Sequence, residues 1–215
     1  NKQIGTITVP VVTTNYQRFE FTIKVFIGAK IQLDQSGVTV SAAEITYGQT
    51  LAESVLTATG SMICPRTQAV ISGTFAWKDN TIKPDAGSYD AEWVFTPDAP
   101  EYATATGKVT VKVNKAASSV VTDPVANTLT YNGGEQALVT AGTASGGAMQ
   151  YRLGDSGEFT DAIPTAINAG TYTVYYKVAG DSNHNDTTAR SVTVTIEPKE
   201  LTITGVTVAD KIYDG

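Results

Sequence analysis

Three short strings return along the chain at one spacing of about 83 residues, and this constrains the fold more than any other feature. Ile45-Thr46-Tyr47-Gly48 comes back as Leu129-Thr130-Tyr131-Asn132-Gly133, with the two tyrosines 84 apart. Lys211-Ile212-Tyr213-Asp214-Gly215 is a third copy, its tyrosine 82 further on. Ala86-Gly87-Ser88-Tyr89 returns as Ala169-Gly170-Thr171-Tyr172, and 108–113 returns as 191–196, both at an offset of 83. The repeat predicts one unit over 35–115 and a second over 116–198. Residues 1–34 read as the closing strands of an earlier unit, because Asn15-Tyr16 leads into 21–25 as Glu101-Tyr102 leads into 109–113. Residues 199–215 read as the opening strand of a following unit, so the chain is expected to be a piece of a longer array.

Alternation with a period of two gives the element type. Tyr172, Val174, Tyr176 and Val178 fall on one face of a strand, and Tyr89, Ala91, Trp93 and Phe95 hold the matching places in the first unit. Val109, Val111 and Val113 share a face, as do Val192, Val194 and Ile196. Across the repeat the apolar face keeps its character and the outer face changes freely, which is the signature of a half-buried antiparallel strand. Thr occurs 33 times and Val 22 times; both are β-branched and suit a pleated surface. The 19 glycines and 8 prolines are scattered along the chain as turn punctuation, with Pro84, Pro97, Pro100 and Pro124 expected outside the alternating runs. The one helical candidate, 51–56, is short and runs into Thr57-Ala58-Thr59, so it reads as strand. About seven short strands per unit with no helix predicts an all-β chain of tandem immunoglobulin-like β-sandwiches, with partial repeat units at both ends.

Charge and composition exclude several functions. Lys and Arg number 15 against 21 Asp and Glu, a net charge of -6, which opposes a nucleic-acid partner. A single cysteine, Cys64, rules out a disulfide within the chain and any zinc site built on cysteines. A single histidine, His184, rules out the multi-histidine metal centres. No apolar run approaches the ~18 residues a spanning helix needs, so no membrane insertion is expected.

At the level of motifs, 45–51 (Ile-Thr-Tyr-Gly-Gln-Thr-Leu), 73–77 (Gly-Thr-Phe-Ala-Trp) and 109–115 together resemble the MBG-type Ig-like repeats of bacterial surface proteins. Asn132-Gly133-Gly134 and 169–174 look like a sister repeat, and 211–215 resembles the opening of a YDG-type domain. The stretch Met62-Ile63-Cys64-Pro65-Arg66 departs from the polar pattern usual at that place. The resemblance implies tandem domains of large secreted or wall-attached proteins, with adhesion or spacing at the cell surface as the inferred role. It carries no catalytic residues and no cofactor.

The residues themselves offer few candidates for chemistry. Ser182, His184 and Asp186 have the residue types of a hydrolase triad, but they alternate within one loop, where the histidine can hardly sit between the other two. Asp181 and Asp186, among Asn183 and Asn185, form the one weak candidate for Ca²⁺, which wants six to eight oxygens. Trp77, Tyr175 and Tyr151 are the candidate ligand-contacting aromatics; if they line one open face, they could stack against sugar. Trp93 falls on the inward face, and Cys64 reads as a bystander thiol beside Arg66.

Two functions follow as expectations. The first is a non-catalytic extracellular stalk or adhesion module of a bacterial cell-surface protein, with host or cell-wall glycan or protein as partner. The alternative is a glycan-binding accessory module of a secreted enzyme. Strand edges at the two ends are further expected to pair between chains or to pack on the neighbouring unit.

Overall fold

The computed structural model describes residues 2–214, and the chain divides into two compact units. The first takes in 1–45, 49–84 and 88–113, and the second takes in 46–48, 85–87 and 114–215. Gly215, which ends the third Tyr-Asp-Gly copy, lies outside the described residues.

The first unit carries β1 (Lys2–Val11), β2 (Phe19–Ile27), β3 (Thr39–Ala42), β4 (Ile45–Thr46), β5 (Leu56–Thr59), β6 (Gly73–Trp77), β7 (Gly87–Pro97) and β8 (Ala105–Asn114). Its main sheet has the order β4-β8-β7-β6, and β3 pairs antiparallel with β5. The β6–β7 register sets Phe75 opposite Phe95 and Trp77 opposite Trp93, so these four side chains share the inner face. Phe75 meets Phe95 at 4.9 Å and Trp93 at 5.4 Å between ring centroids, within the range of favourable tilted packing. Trp93, Phe95 and Met62 form a buried cluster, with Leu33, Val38, Leu56 and Ile71 packed against it. Val111 and Val113 are buried too, as their alternation predicts. Each such side chain contributes roughly 1.5–3 kcal/mol by leaving water.

The second unit carries β9 (Ala116–Ala117), β10 (Ser119–Thr122), β11 (Val125–Ala126), β12 (Leu129–Thr130), β13 (Gln136–Ala137), β14 (Val139–Thr140), β15 (Thr143–Ser145), β16 (Gly147–Leu153), β17 (Thr165–Ala166), β18 (Gly170–Gly180), β19 (His184–Asn185) and β20 (Arg190–Glu197). Its main sheet, β12-β20-β18-β16, has the same order of equivalent strands as the first. β10 pairs with β15, β11 with β14 and β13 with β17, all antiparallel. Leu138, Val139, Tyr151, Val174, Tyr176, Val194 and Ile196 make one buried core. The fold is therefore all-β and Ig-like.

One element differs from the sequence reading. Leu51–Glu53 is a 3-10 turn, not strand, and strand begins only at Leu56. The cause is local. The Thr50 N–H donates to Glu53 Oε2 at 2.8 Å, the Ser54 N–H donates to the Leu51 carbonyl at 3.1 Å, and the Ser54 hydroxyl donates to the Ala43 carbonyl at 2.6 Å. These bonds curl the segment while driving Leu51 into the core.

The β1–β2 hairpin stands apart as a two-stranded sheet. Its register places Ile7 opposite Ile23, Val9 opposite Phe21 and Val11 opposite Phe19, so one face is apolar. Thr6, Thr8, Thr22 and Lys24 lie on the other face.

Candidate functional site

The outer faces of the two main sheets hold the groups with chemical potential, because the inner faces are consumed by the cores. In the first unit β7 turns Asp90 and Glu92 outward and β8 turns Lys108 outward. Lys78, just past β6, pairs with Glu92 at 2.5 Å. With Asp79, Tyr89, Ile82 and Leu51 they line an open concavity of about 410 Å³. The hydrogen bond from Lys78, and then its charge, hold the Glu92 carboxyl below its ordinary pKa. Asp79 is also lowered, because the Thr81 hydroxyl and N–H donate to it. Asp90 accepts from the Thr110 hydroxyl at 2.6 Å. Carboxylates, ammonium groups and a phenol converging over an apolar floor can hydrogen-bond a polyhydroxylated ligand.

The second unit carries an aromatic and cationic cluster at the matching place. Arg152 on β16 stands opposite Tyr175 on β18. Its guanidinium lies 5.0 Å from the Tyr175 ring centroid and 4.8 Å from that of Phe159, which arrives on the loop after β16. Lys177 Nζ lies 5.3 Å from the same Phe159 ring and pairs with Asp186 at 2.7 Å. Arg152 Nε is shut off from solvent and has no hydrogen-bond partner among the described residues. A hydrogen bond to Asp155, and the charge of that carboxylate, push the Tyr175 phenol above its ordinary value.

The three aromatic candidates part company. Tyr175 lies on the outer face. Tyr151 is 3% exposed in the core, where its oxygen accepts from the Gly142 N–H at 3.1 Å. Trp77 shares the inner face with Trp93 and donates its indole N–H to the Ser54 carbonyl at 2.8 Å. Tyr151 and Tyr175 therefore sit on opposite faces of one sheet and do not form a common platform.

The loop 181–186 engages its two carboxylates separately. Asp181 Oδ1 lies 2.7 Å from His184 Nδ1 and accepts from the Asn183 N–H, and both contacts lower its pKa. Asp186 takes Lys177 on one oxygen and the Gly180 N–H on the other, and is lowered mainly by Lys177. Among the described residues, no group of three or more His, Cys, Asp or Glu is gathered in a way that could hold a metal ion. The His184 ring also meets Tyr47 edge-on at 5.2 Å and backs onto Gly146, where a Cβ would come within 2.7 Å of the ring. These contacts tie the imidazole to Asp181 and Tyr47, and Ser182 is exposed.

Cys64 is buried and opens a tight turn in which the Gln68 N–H donates to the Cys64 carbonyl at 2.9 Å and Gln68 takes a positive φ of 58°. The Thr67 hydroxyl, then the Thr67 and Arg66 backbone, lower the thiol's pKa. Burial, and then the nearby thiol, raise the Tyr102 phenol.

Sequence reasoning missed Arg152, Phe159, Lys78 and Glu92. The repeat gave part of the signal: with the offset of 83, Tyr175 stands where Glu92 stands, but Arg152 lies within β16, 74 residues after Lys78, so the offset does not bring their two partners into line.

No family model matches the chain, and no curated protein matches it. Among solved structures, the crystal structure of Drosophila N-cadherin EC1-4 is similar at 9% identity with a TM-score of 0.28, over 90% of this chain and 58% of that one. The chain thus spans a little over half the length of that structure. Among the described residues no helix is long and apolar enough to cross a membrane.

Proposed function

We propose that the chain is a non-catalytic extracellular module of a bacterial cell-surface protein, related to the MBG and YDG repeats, that spaces or presents a distal binding domain. The supporting observation is that each unit buries a separate apolar cluster, one around Met62, Trp93 and Phe95 and one around Leu138, Tyr151 and Val194. Units that close their own cores can be strung in number without needing a partner to fold. Single-molecule extension of the whole chain tests this. Two separate unfolding events are expected, each releasing roughly 250–300 Å of chain at the ~3.3–3.6 Å per residue of an extended backbone. A single merged event, or extension without any barrier, would refute independent spacer modules.

A second reading, a glycan-binding accessory module, is supported by the outer-face groups. The concavity by Lys78 and Glu92 and the Arg152–Tyr175 cluster both present polar and aromatic groups to solvent. Glycan-array binding that falls on Lys78→Ala or Tyr175→Ala would favour it, and no binding at all would leave the spacer role alone.

A further inference from the structure

We infer that Arg152, on the outer face of the second unit's main sheet, anchors a carboxylate of an acidic polysaccharide through the end of its guanidinium. This rests on the glycan-binding reading and narrows it to uronate-bearing chains.

The cations of that sheet give the first reason. Its strands carry Arg152, Lys177 and Arg190. Lys177 pairs with Asp186 at 2.7 Å and Arg190 with Asp123 at 3.3 Å. Arg152 makes no ion pair and no hydrogen bond among the described residues. It is nonetheless held: its guanidinium lies 4.8 Å from the Phe159 ring centroid and 5.0 Å from that of Tyr175. A long side chain ordinarily gives up rotamer freedom when it captures a ligand, and here two rings have already taken much of it. Nε is shut off from solvent, while the side chain as a whole is partly exposed. What is left for a ligand is therefore the end of the fork, Nη1 and Nη2. Parallel N–H donors at that end match the two oxygens of a carboxylate.

The surroundings favour a polysaccharide over an acidic peptide. A peptide would add as a strand at β16, the edge of the sheet. Beside Arg152 that edge is closed, because the Tyr151 N–H donates to the Thr160 carbonyl at 2.7 Å and the Thr160 N–H donates back to the Tyr151 carbonyl at 3.0 Å. The face offers polar side chains instead. Gln150 and Lys177 form the next outward cross-strand pair, and Thr173 lies two residues before Tyr175 on the same face. An amide, an ammonium group and a hydroxyl suit the hydroxyls of a sugar chain. Each ring gives a face to Arg152, which leaves charge rather than stacking as the main thing to read. Asp155 adds a second, signed effect. It accepts a hydrogen bond from the Tyr175 phenol, so it stands close to the anchor. It repels a bound carboxylate, whereas it would accept from the hydroxyl of a neutral sugar.

The test is titration calorimetry of the full chain with oligogalacturonate, with its methyl ester as the uncharged counterpart and dextran sulfate as a polyanion without carboxylates. The acid is expected to bind about tenfold or more tighter than the ester, because only the acid makes charge-assisted bonds. Arg152→Lys keeps the charge and loses the fork; it is expected to weaken the acid about tenfold and to leave the ester unchanged. Lys112→Gln removes an equal charge from the first unit and is expected to change nothing. Asp155→Asn is expected to tighten the acid about threefold by removing a repelling charge. This variant carries the test separately, since no loss of folding can tighten a ligand; unchanged or weaker binding of the acid overturns the inference. An ester that binds as tightly as the acid overturns it too and leaves the glycan reading standing. Acid binding unmoved by Arg152→Lys, or matched by dextran sulfate, reports charge alone and also overturns it. Binding of neither acid nor ester does the same, and the wider reading then stands or falls on the neutral members of a glycan array.

Discussion

The two complete units share one sheet order and fill it with different residues at the same places. Trp93 and Tyr176 are equivalent, as are Phe95 and Val178, Val111 and Val194, and Val113 and Ile196. The differences compensate. Trp93 lies against Gly107, where a Cβ would come within 2.3 Å of the indole. Tyr176 is smaller and faces Arg190, and its hydroxyl donates to Asp123, which Arg190 also approaches at 3.3 Å. The larger ring is admitted by a glycine, whereas the smaller ring stands beside an arginine whose side chain is mostly in solvent and reaches the carboxylate that accepts from the Tyr176 hydroxyl. What the repeat conserves between its own copies is the shape of the interior, not its identities.

The strongest way to break this comparison is to empty matched places. Phe95→Ala is expected to destabilise the first unit by about 3–5 kcal/mol, and Val178→Ala the second by about 2 kcal/mol, from lost transfer energy and the cavity left behind. Scanning calorimetry should show each substitution lowering one transition only. If either moves both, the cores are not independent; if Val178→Ala costs more than Phe95→Ala, the places are not equivalent.

A smaller effect sharpens the compensation. Gly107→Val forces the indole of Trp93 aside and is expected to cost about 1–3 kcal/mol. Adding Trp93→Tyr, the ring the second unit uses, should recover part of that loss. A double-mutant cycle in chemical denaturation measures the coupling. Strict additivity would mean that the ring and the glycine do not share space.

The sequence carried the interiors well and the surfaces poorly, for a physical reason. Period-2 alternation reports burial, so Val174, Tyr176, Val194 and Ile196 were placed correctly from pattern alone. Trp77 sits at the end of a five-residue strand, too short to show alternation, and its facing is fixed only by pairing with Trp93. Tyr151 and Tyr175 look alike as residue types, yet Tyr151 stands opposite the inward Tyr176 and Tyr175 opposite the outward Arg152. The 3-10 turn at Leu51 hid behind an apolar run because its signal, Thr50 with Glu53 three residues on, lies in side-chain bonds to backbone. Phe159 reaches Arg152 from a loop, and no periodicity places a loop residue.

The outer-face pairs should differ less in size than in kind. Lys78 and Glu92 have side chains 61% and 45% exposed, so their ion pair contributes little to stability and weakens with salt. Arg152 over Tyr175 and Phe159 is expected to contribute about 0.5–1 kcal/mol, held in part by contact area that salt does not screen. Lys78→Met should therefore cost little in high salt, while Arg152→Met keeps its cost. Equal salt sensitivity would make the two pairs the same device.

The smallest effect, and the sharpest distinction, is in pH. Glu92 has its pKa lowered by Lys78, so the pair contributes above the ordinary carboxylate range and loses its contribution as pH falls through the folded value. Tyr175 has its pKa raised because the proton on its oxygen bridges to Asp155. Its contribution is present below the ordinary tyrosine range and is lost as pH rises through the folded value. The matched places thus fail at opposite ends of the pH scale. Side-chain NMR titration should find the Glu92 midpoint moving up in Lys78→Met and the Tyr175 midpoint moving down in Asp155→Asn. If Glu92 is unmoved by loss of Lys78, the first unit's outer pair is a crowding of exposed charges, and the contrast with Arg152 and Tyr175 reduces to one of size.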